Sequence, residues 1–348
     1  MKLEIQDHQN ETNNSRNKNN FLIDIPVLII FFARPKPFGK VMEQIRIAKP
    51  SRLYLYQDGA REGRQDDVDN INKCRELSEN IDWDCQVFYK YQDKNYGCDP
   101  SEYIAQKWFF ENEESGIVLE DDDVPSQAFF PYCKELLEKY KHDERINMIC
   151  GMNQMEVYEN TPYSYTFSTS GSITGWASWR RVFDSWEENY DFLSDEYALQ
   201  NIKDEMGEKL YRSYIKHCTA HKNSGKAHYE SIFGSAAILN NRLNIVPKYN
   251  LISNIGIDSY ATHGATSMDI LPKGIKKIFY MKPHEIEFPL KHPKYIIEDK
   301  NYKKRIDRIM GNGYPLVQMY RQVESITYRL MKGETKSIFT GFKRRLGL

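Results

Sequence analysis

Net charge of either sign is what this sequence most plainly lacks. Its 48 lysines and arginines stand against 49 aspartates and glutamates, a formal net charge of −1 over 348 residues. So even a balance excludes a global nucleic-acid footprint or a strong field toward an anionic membrane, and any polyanion contact has to be local. Long apolar runs are missing too: no stretch of about eighteen uninterrupted apolar residues occurs, which argues against a spanning helix. The six cysteines, Cys74, Cys85, Cys98, Cys133, Cys150 and Cys218, form no C-x-x-C pair and no regular framework. That spacing favours reduced thiols over a structural zinc site. The opening MKLEIQDHQNETNNSRNKNN lacks the apolar core of a secretion signal. Residues 1–22 read as a disordered leader, and the cytoplasm is the expected compartment. No internal repeat is present.

Aromatic residues are plentiful at 13%, which suits ring-lined grooves and an aromatic core equally well. From Pro26 onward, strand-like runs alternate with helical patterns: VLIIFFAR, a helix near 38–48, RLYLYQDG, a polar helix near 65–80, CQVFYK and a helix over PSEYIAQKWFFENE. The strand GIVLE, a helix over 126–140 and INMICG continue the series. This alternation predicts an α/β fold with a mostly parallel sheet flanked by helices. In the 126–140 helix, Phe129, Phe130, Cys133, Leu136, Leu137 and Tyr140 fall on one face at three-and-four spacing. After residue 151 the pattern turns loop-rich and aromatic, then gives helices near 202–220 and 228–240 and a strand LNIVP. From Lys273 the chain is basic and dotted with proline, and a helical pattern covers 315–332.

The strand GIVLE ends in Glu120, Asp121, Asp122 and Asp123. A solvated turn that stops the strand and caps the next helix is the plain reading. Capping needs a single oxygen, however, and Ser126 beside Pro125 offers one. Four consecutive acids repel one another and ask for a cation, and Mg2+ or Mn2+ is typically held by one or two carboxylates together with substrate phosphates. A pair of facing hydrolytic carboxyls is a poorer match, because adjacent residues at a strand end diverge. Open α/β sheets bind ligands outside the carboxyl ends of their strands, where Arg34, Asp58 and the acids fall.

These residues carry a resemblance. GIVLEDDDVPSQAFF resembles the Glu-Asp-Asp element of the N-acetylglucosaminyltransferase I family and of related bacterial hemolytic-protein-like glycosyltransferases, which share the GT-A nucleotide-diphospho-sugar transferase fold. FFARP, LYLYQDG and DKNYGC are similar to the family's first strand with its arginine, second strand with its aspartate, and later Asn-x-Gly element. TGWASWRR and LNIVPKYNLISNIGIDSYATH resemble segments of the bacterial group, so the likeness covers about residues 26–265 in order.

The resemblance implies that Asp122 binds Mn2+ or Mg2+, that Asp121 contacts the nucleotide ribose and that Glu120 faces the donor sugar, while Asp123 is extra to the motif and is left to cap the helix. Arg34 and Asp58 match positions that hold uracil; a carboxylate accepts the imide N–H and a guanidinium donates to a ring carbonyl. A surface salt bridge is the alternative for this pair. Asn95 and Gly97 match the floor of the nucleotide pocket, though Asn-x-Gly is also an ordinary turn. Glu230 falls where the bacterial group has an aspartate after a tryptophan, with Tyr229 in place of that ring, and it is the candidate general base. A glutamate at a helix start, favoured by the macrodipole, explains it equally simply. His263 is a candidate ligand of the metal or a phosphate, or a hydrogen-bonded loop residue. Trp176 and Trp179 would form either a sugar-stacking wall or core.

The expectation is therefore a nucleotide-sugar-binding α/β half over 23–151, an acceptor half of the same GT-A domain over 152–270, and a basic C-terminal extension with a helix over 271–348. The expected activity is metal-dependent transfer of a sugar, from a nucleotide donor such as a UDP-sugar to a hydroxyl of a glycan or lipid-linked acceptor, as in polysaccharide biosynthesis. Inversion through Glu230 is expected, with retention left open. Two alternatives stand beside it: a metal-dependent nucleotidyltransferase, although FFARPKPFGK lacks a glycine-rich phosphate loop, and an inactive nucleotide-sugar-binding protein on the same fold. Lys343, Arg344 and Arg345 offer a basic tail for peripheral contact with anionic lipid, against the simpler reading of a solvated tail.

Overall fold

The computed structural model describes residues 23–257 and 268–332. The first half alternates as expected: β1 (Ile23–Phe31), α1 (Pro35–Ala48), β2 (Pro50–Gln57), α2 (Gln65–Glu79), β3 (Gln86–Tyr91), α3 (Cys98–Asn112) and β4 (Ser115–Glu120). β1 is apolar because it is central, with β2 and β4 both paired parallel to it and its residues from Ile25 to Phe31 buried. Pro26 is tolerated within this strand where the register with β2 shifts. α1 packs Phe38, Val41, Met42 and Ile45 inward and begins on Pro35, whose missing N–H is harmless in a first turn.

Further along lie β5 (Asp123–Pro125), α4 (Phe129–Lys139), β6 (Ile146–Cys150), β7 (Tyr165–Ser168), β8 (Trp176–Trp179), α5 (Arg180–Phe183), α6 (Glu196–Met206), α7 (Glu208–Ser224), α8 (Tyr229–Leu239), β9 (Leu243–Pro247), β10 (Ile252–Asn254), α9 (Lys273–Lys276), α10 (Lys300–Met310) and α11 (Pro315–Met331). Among the described residues one sheet takes eight strands in the order β3-β2-β1-β4-β8-β6-β9-β7. β8 and β7 alone run against the other six. The fold is thus mixed α/β with a large, mostly parallel sheet flanked by helices.

Several elements differ from expectation. The helix expected from Ser126 starts at Phe129, because residues 123–125 are drawn into an antiparallel ribbon with β10. The aromatic region after residue 151, read as loop-rich, contains β7 and β8. The helical pattern near 202–220 is two helices, parted where Gly207 takes φ +76. Within the basic C-terminal region the structure adds α10, whose Asp299 caps Asn301 and Tyr302. None of the six cysteines is bridged. No described helix is long and apolar enough to cross a membrane.

Candidate functional site

Strand order reverses beside β1: the chain steps outward from β1 to β2 and β3, then returns to place β4 on the other side. Such a switch point opens a crevice at the carboxyl ends of the two strands. Arg34, three residues past β1, and Asp121 and Asp122, just past β4, meet there. The guanidinium donates to both Asp121 oxygens, to Asp122 Oδ2 at 2.7 Å and to the Gly256 carbonyl at 3.3 Å. The backbone N–H of Phe32 also points at Asp121 Oδ2, at 3.4 Å. Burial works against the charged guanidinium, but Asp121 and Asp122 outweigh it and hold the Arg34 pKa above its ordinary value.

The β5–β10 ribbon brings in residues that sequence reasoning had quoted without a role. Asn254, opposite Asp123 in the ribbon, donates to Asp122 Oδ1 at 3.2 Å and to Asp123 Oδ1 at 3.4 Å. Gly256 lies so close that a Cβ there would fall 1.9 Å from Asp122 Oδ2. Only glycine leaves room for that carboxylate. Asp123 is not a helix cap: it is buried and accepts the N–H groups of Gly175 at 2.8 Å and Glu120 at 3.2 Å. It ties the acidic turn to the loop before β8. Ser126 does not cap α4 either, since the N-cap position is Ala128 and the buried Ser126 hydroxyl has no hydrogen-bond partner among the described residues.

Asp58, at the end of β2, is also buried and fully engaged. It accepts from the N–H groups of Gly59 (3.0 Å), Tyr96 (2.9 Å) and Gly97 (3.0 Å) and from Asn95 Nδ2 (2.8 Å). Burial pushes its pKa up, while the backbone donors of Tyr96, Gly97 and Gly59 pull it back. The structure joins Asp58, Asn95 and Gly97 to one another, with Asp58 organising the loop that begins α3; its oxygens face protein donors. A Cβ on Gly59 would lie 2.5 Å from the Lys94 carbonyl carbon, a backbone atom that cannot swing aside. Gly59→Ala should therefore cost about 1–3 kcal/mol by overpacking, read as a lower urea midpoint; an unchanged midpoint would show that the 94–97 loop gives way freely.

Sequence reasoning missed Glu102. It lies on α3, only 7% exposed, accepting from Gln106 Nε2 at 3.1 Å. Burial raises its pKa to about 8, with the Gln106 bond opposing and the charges of Asp123, Asp121 and Asp122 adding to the rise. Glu120 is pushed up as well, by burial and then by Glu102. A group that keeps its proton in the fold but sheds it when unfolded contributes stability that falls as pH rises from the unfolded pKa to the folded one. For Glu102 the window runs from about 4.5 to about 8, at up to about 1.4 kcal/mol per pH unit. In metal-free buffer, Glu102→Gln should match wild type in urea stability below pH 4.5 and exceed it increasingly toward pH 8. Parallel curves across that range would refute the assignment. The only sequence signal for Glu102 was a carboxylate on the helix face that also carries Tyr103, Phe109 and Phe110.

Of the other candidates, some are described and some lie outside the described residues. Glu230 is exposed in the first turn of α8. Its neighbour Tyr229 is buried against Trp186 and Phe233. Trp176 is 2% exposed, paired in the sheet between Val118 and Cys150 and packed against Phe110 and Phe233, so its ring is core and offers no open stacking face. Trp179 is likewise buried, donating to the Leu137 carbonyl. His263 and the basic tail at Lys343, Arg344 and Arg345 lie outside the described residues. Among the described residues no three histidine, cysteine or acidic side chains converge as a closed metal cage. An open site of one carboxylate completed by substrate phosphates needs no such cage, and Asp122, a hard oxygen donor set beside Arg34 and Asn254, is of the type such a site uses.

No protein-family model and no curated protein matches the chain. Solved structures similar to it include a 4-diphosphocytidyl-2C-methyl-D-erythritol synthase from Anaerococcus prevotii, 12% identical over 47% of this chain and 74% of that one, with a TM-score of 0.29. A UDP-glucose pyrophosphorylase complexed with UDP-glucose is 9% identical over 65% and 91%, at 0.34. An inositol-1-phosphate CTP transferase from T. maritima is 7% identical over 74% and 95%, at 0.37. Likeness this remote decides nothing about activity, which has to be argued from the site.

Proposed function

We propose that this protein is a metal-dependent glycosyltransferase of the GT-A type, moving a sugar from a UDP-sugar to a hydroxyl of a glycan or lipid-linked acceptor. The observation that carries the reading is the meeting of Arg34 with Asp121 and Asp122 at the switch point between β1 and β4. Asp58 supports it by holding the Asn95–Gly97 turn as a preformed pocket wall. In this reading Asp121 takes a ribose hydroxyl and Asp122, with Asn254 orienting one oxygen, holds Mn2+ or Mg2+. When bound, such an ion neutralises the departing diphosphate. Glu230, exposed at the start of α8, removes the acceptor proton as that oxygen attacks the anomeric carbon. His263 remains a candidate second ligand.

Nucleotidyl transfer is disfavoured by the connection after β1, where Arg34 leads straight into the proline-started α1 with no glycine-rich phosphate loop. The test is release of free UDP from a panel of UDP-sugars with Mn2+, with and without chelator. Turnover that needs the ion supports the proposal. Binding of UDP-sugar without turnover, with any hydroxyl acceptor supplied, would leave an inactive binding protein instead.

A further inference from the structure

α11 is an amphipathic helix turned partly the wrong way out. Leu316, Met319, Tyr320, Val323, Leu330 and Met331 recur at three-, four- and seven-residue intervals and are each 57% to 79% exposed. The helix docks by its other side: Ser325 Oγ reaches the Ile270 carbonyl, Glu324 accepts the Lys273 N–H, Arg321 reaches the Ile309 carbonyl, and Lys276 lies over the Tyr328 ring. No residue of α11 is fully buried. A stripe of this size left to water is a contact surface awaiting a partner.

Charge identifies the partner. Residues 271–348 carry 18 lysines and arginines against 7 acids, a net +11 in a chain whose total is −1. α10, which leads into α11 through Gly311–Tyr314, exposes Lys300, Lys304, Arg305 and Arg308 at one-face spacing. Nearby acids are engaged within the protein: Asp307 with Lys303, Asp269 with Lys332, Glu324 with Tyr328 and the Lys273 N–H. An apolar stripe with an interfacial tyrosine, beside a basic helix, is the composition of an element that lies in a bilayer interface. A second copy of the same surface would set like charge against like charge.

We propose that α10 and α11 dock this protein on an anionic lipid surface, α11 entering the acyl boundary and α10 meeting the headgroups. The docking is separate from the donor reading, since it requires no turnover. The experiment is flotation of the full chain with vesicles of phosphatidylcholine alone or mixed with phosphatidylglycerol, at low and high salt. Two exposed variant sets are compared: Leu316→Gln with Met319→Gln, Tyr320→Gln and Val323→Gln, and Lys304→Gln with Arg305→Gln and Arg308→Gln. Wild type should float with the anionic vesicles, less so at high salt. The charge set should weaken partitioning on the order of 100-fold, from about 1 kcal/mol per basic residue, and the apolar set at least about tenfold at either salt. Melting temperatures should match wild type in both sets. Failure to float with either vesicle, or flotation indifferent to both sets, overturns the proposal. So does a dimer in solution that the apolar set dissociates while vesicles are ignored, which would give the stripe to a second copy.

Discussion

Asp122→Ala should lower UDP release from the best donor by roughly 100-fold or more, the loss typical when a preorganised electrostatic stabiliser of a leaving group is removed. The fold should survive, because Arg34 keeps Asp121 as its partner and one carboxylate is withdrawn from a crowd of mutually repelling acids. Asn254 loses its acceptor on Asp122 but retains Asp123. The melting temperature should therefore move by only a few degrees, the shift expected of about 1 kcal/mol. Asp122→Asn sharpens the comparison, since it keeps the shape above Gly256 while removing the charge and turning one of the two acceptors, to Arg34 or to Asn254, into a donor. Both variants should also lose the thermal shift that Mn2+ and UDP produce together in wild type, a shift that follows from ligand occupancy of the folded state. Equal turnover by Asp122→Ala and wild type would end the metal-site reading.

How much of this was legible beforehand depends on the sequence range over which the determining contacts act. The alternation from β1 to β4 was readable because each strand and helix there announces itself by its own periodicity. Arg34, Asp58 and the acids were readable because strand ends in a parallel sheet all reach the same edge. β7 and β8 were not, since YTFS and WASW are four residues each, too short for a period to stand out. Trp176 stood open between a sugar-stacking wall and core for the same reason; its strand between β4 and β6 is what makes it core. Asp123 was assigned to the nearest helix, as local reasoning must, while its real partners are Gly175 and the strand that carries Asn254. That ribbon pairs residues more than a hundred apart, and nothing local encodes it.

Arg34→Ala should be the most destabilising single change at the site. Removing one partner of a buried ion pair leaves the other charge desolvated and uncompensated, at about 3–5 kcal/mol, and here Asp121 and Asp122 both lose the same cation. In a domain of this size that corresponds to a fall in melting temperature of roughly 10 °C. Arg34→Lys should recover only part of the loss, because an ammonium cannot span both carboxylates as the planar fork does. Combining Arg34→Ala with Asp122→Ala should cost less than the sum of the two singles, since each removes a charge the other leaves stranded. Additive costs, or a stable Arg34→Ala that has lost only donor affinity, would mean that Arg34 reads the nucleotide base and does not hold the acidic turn together.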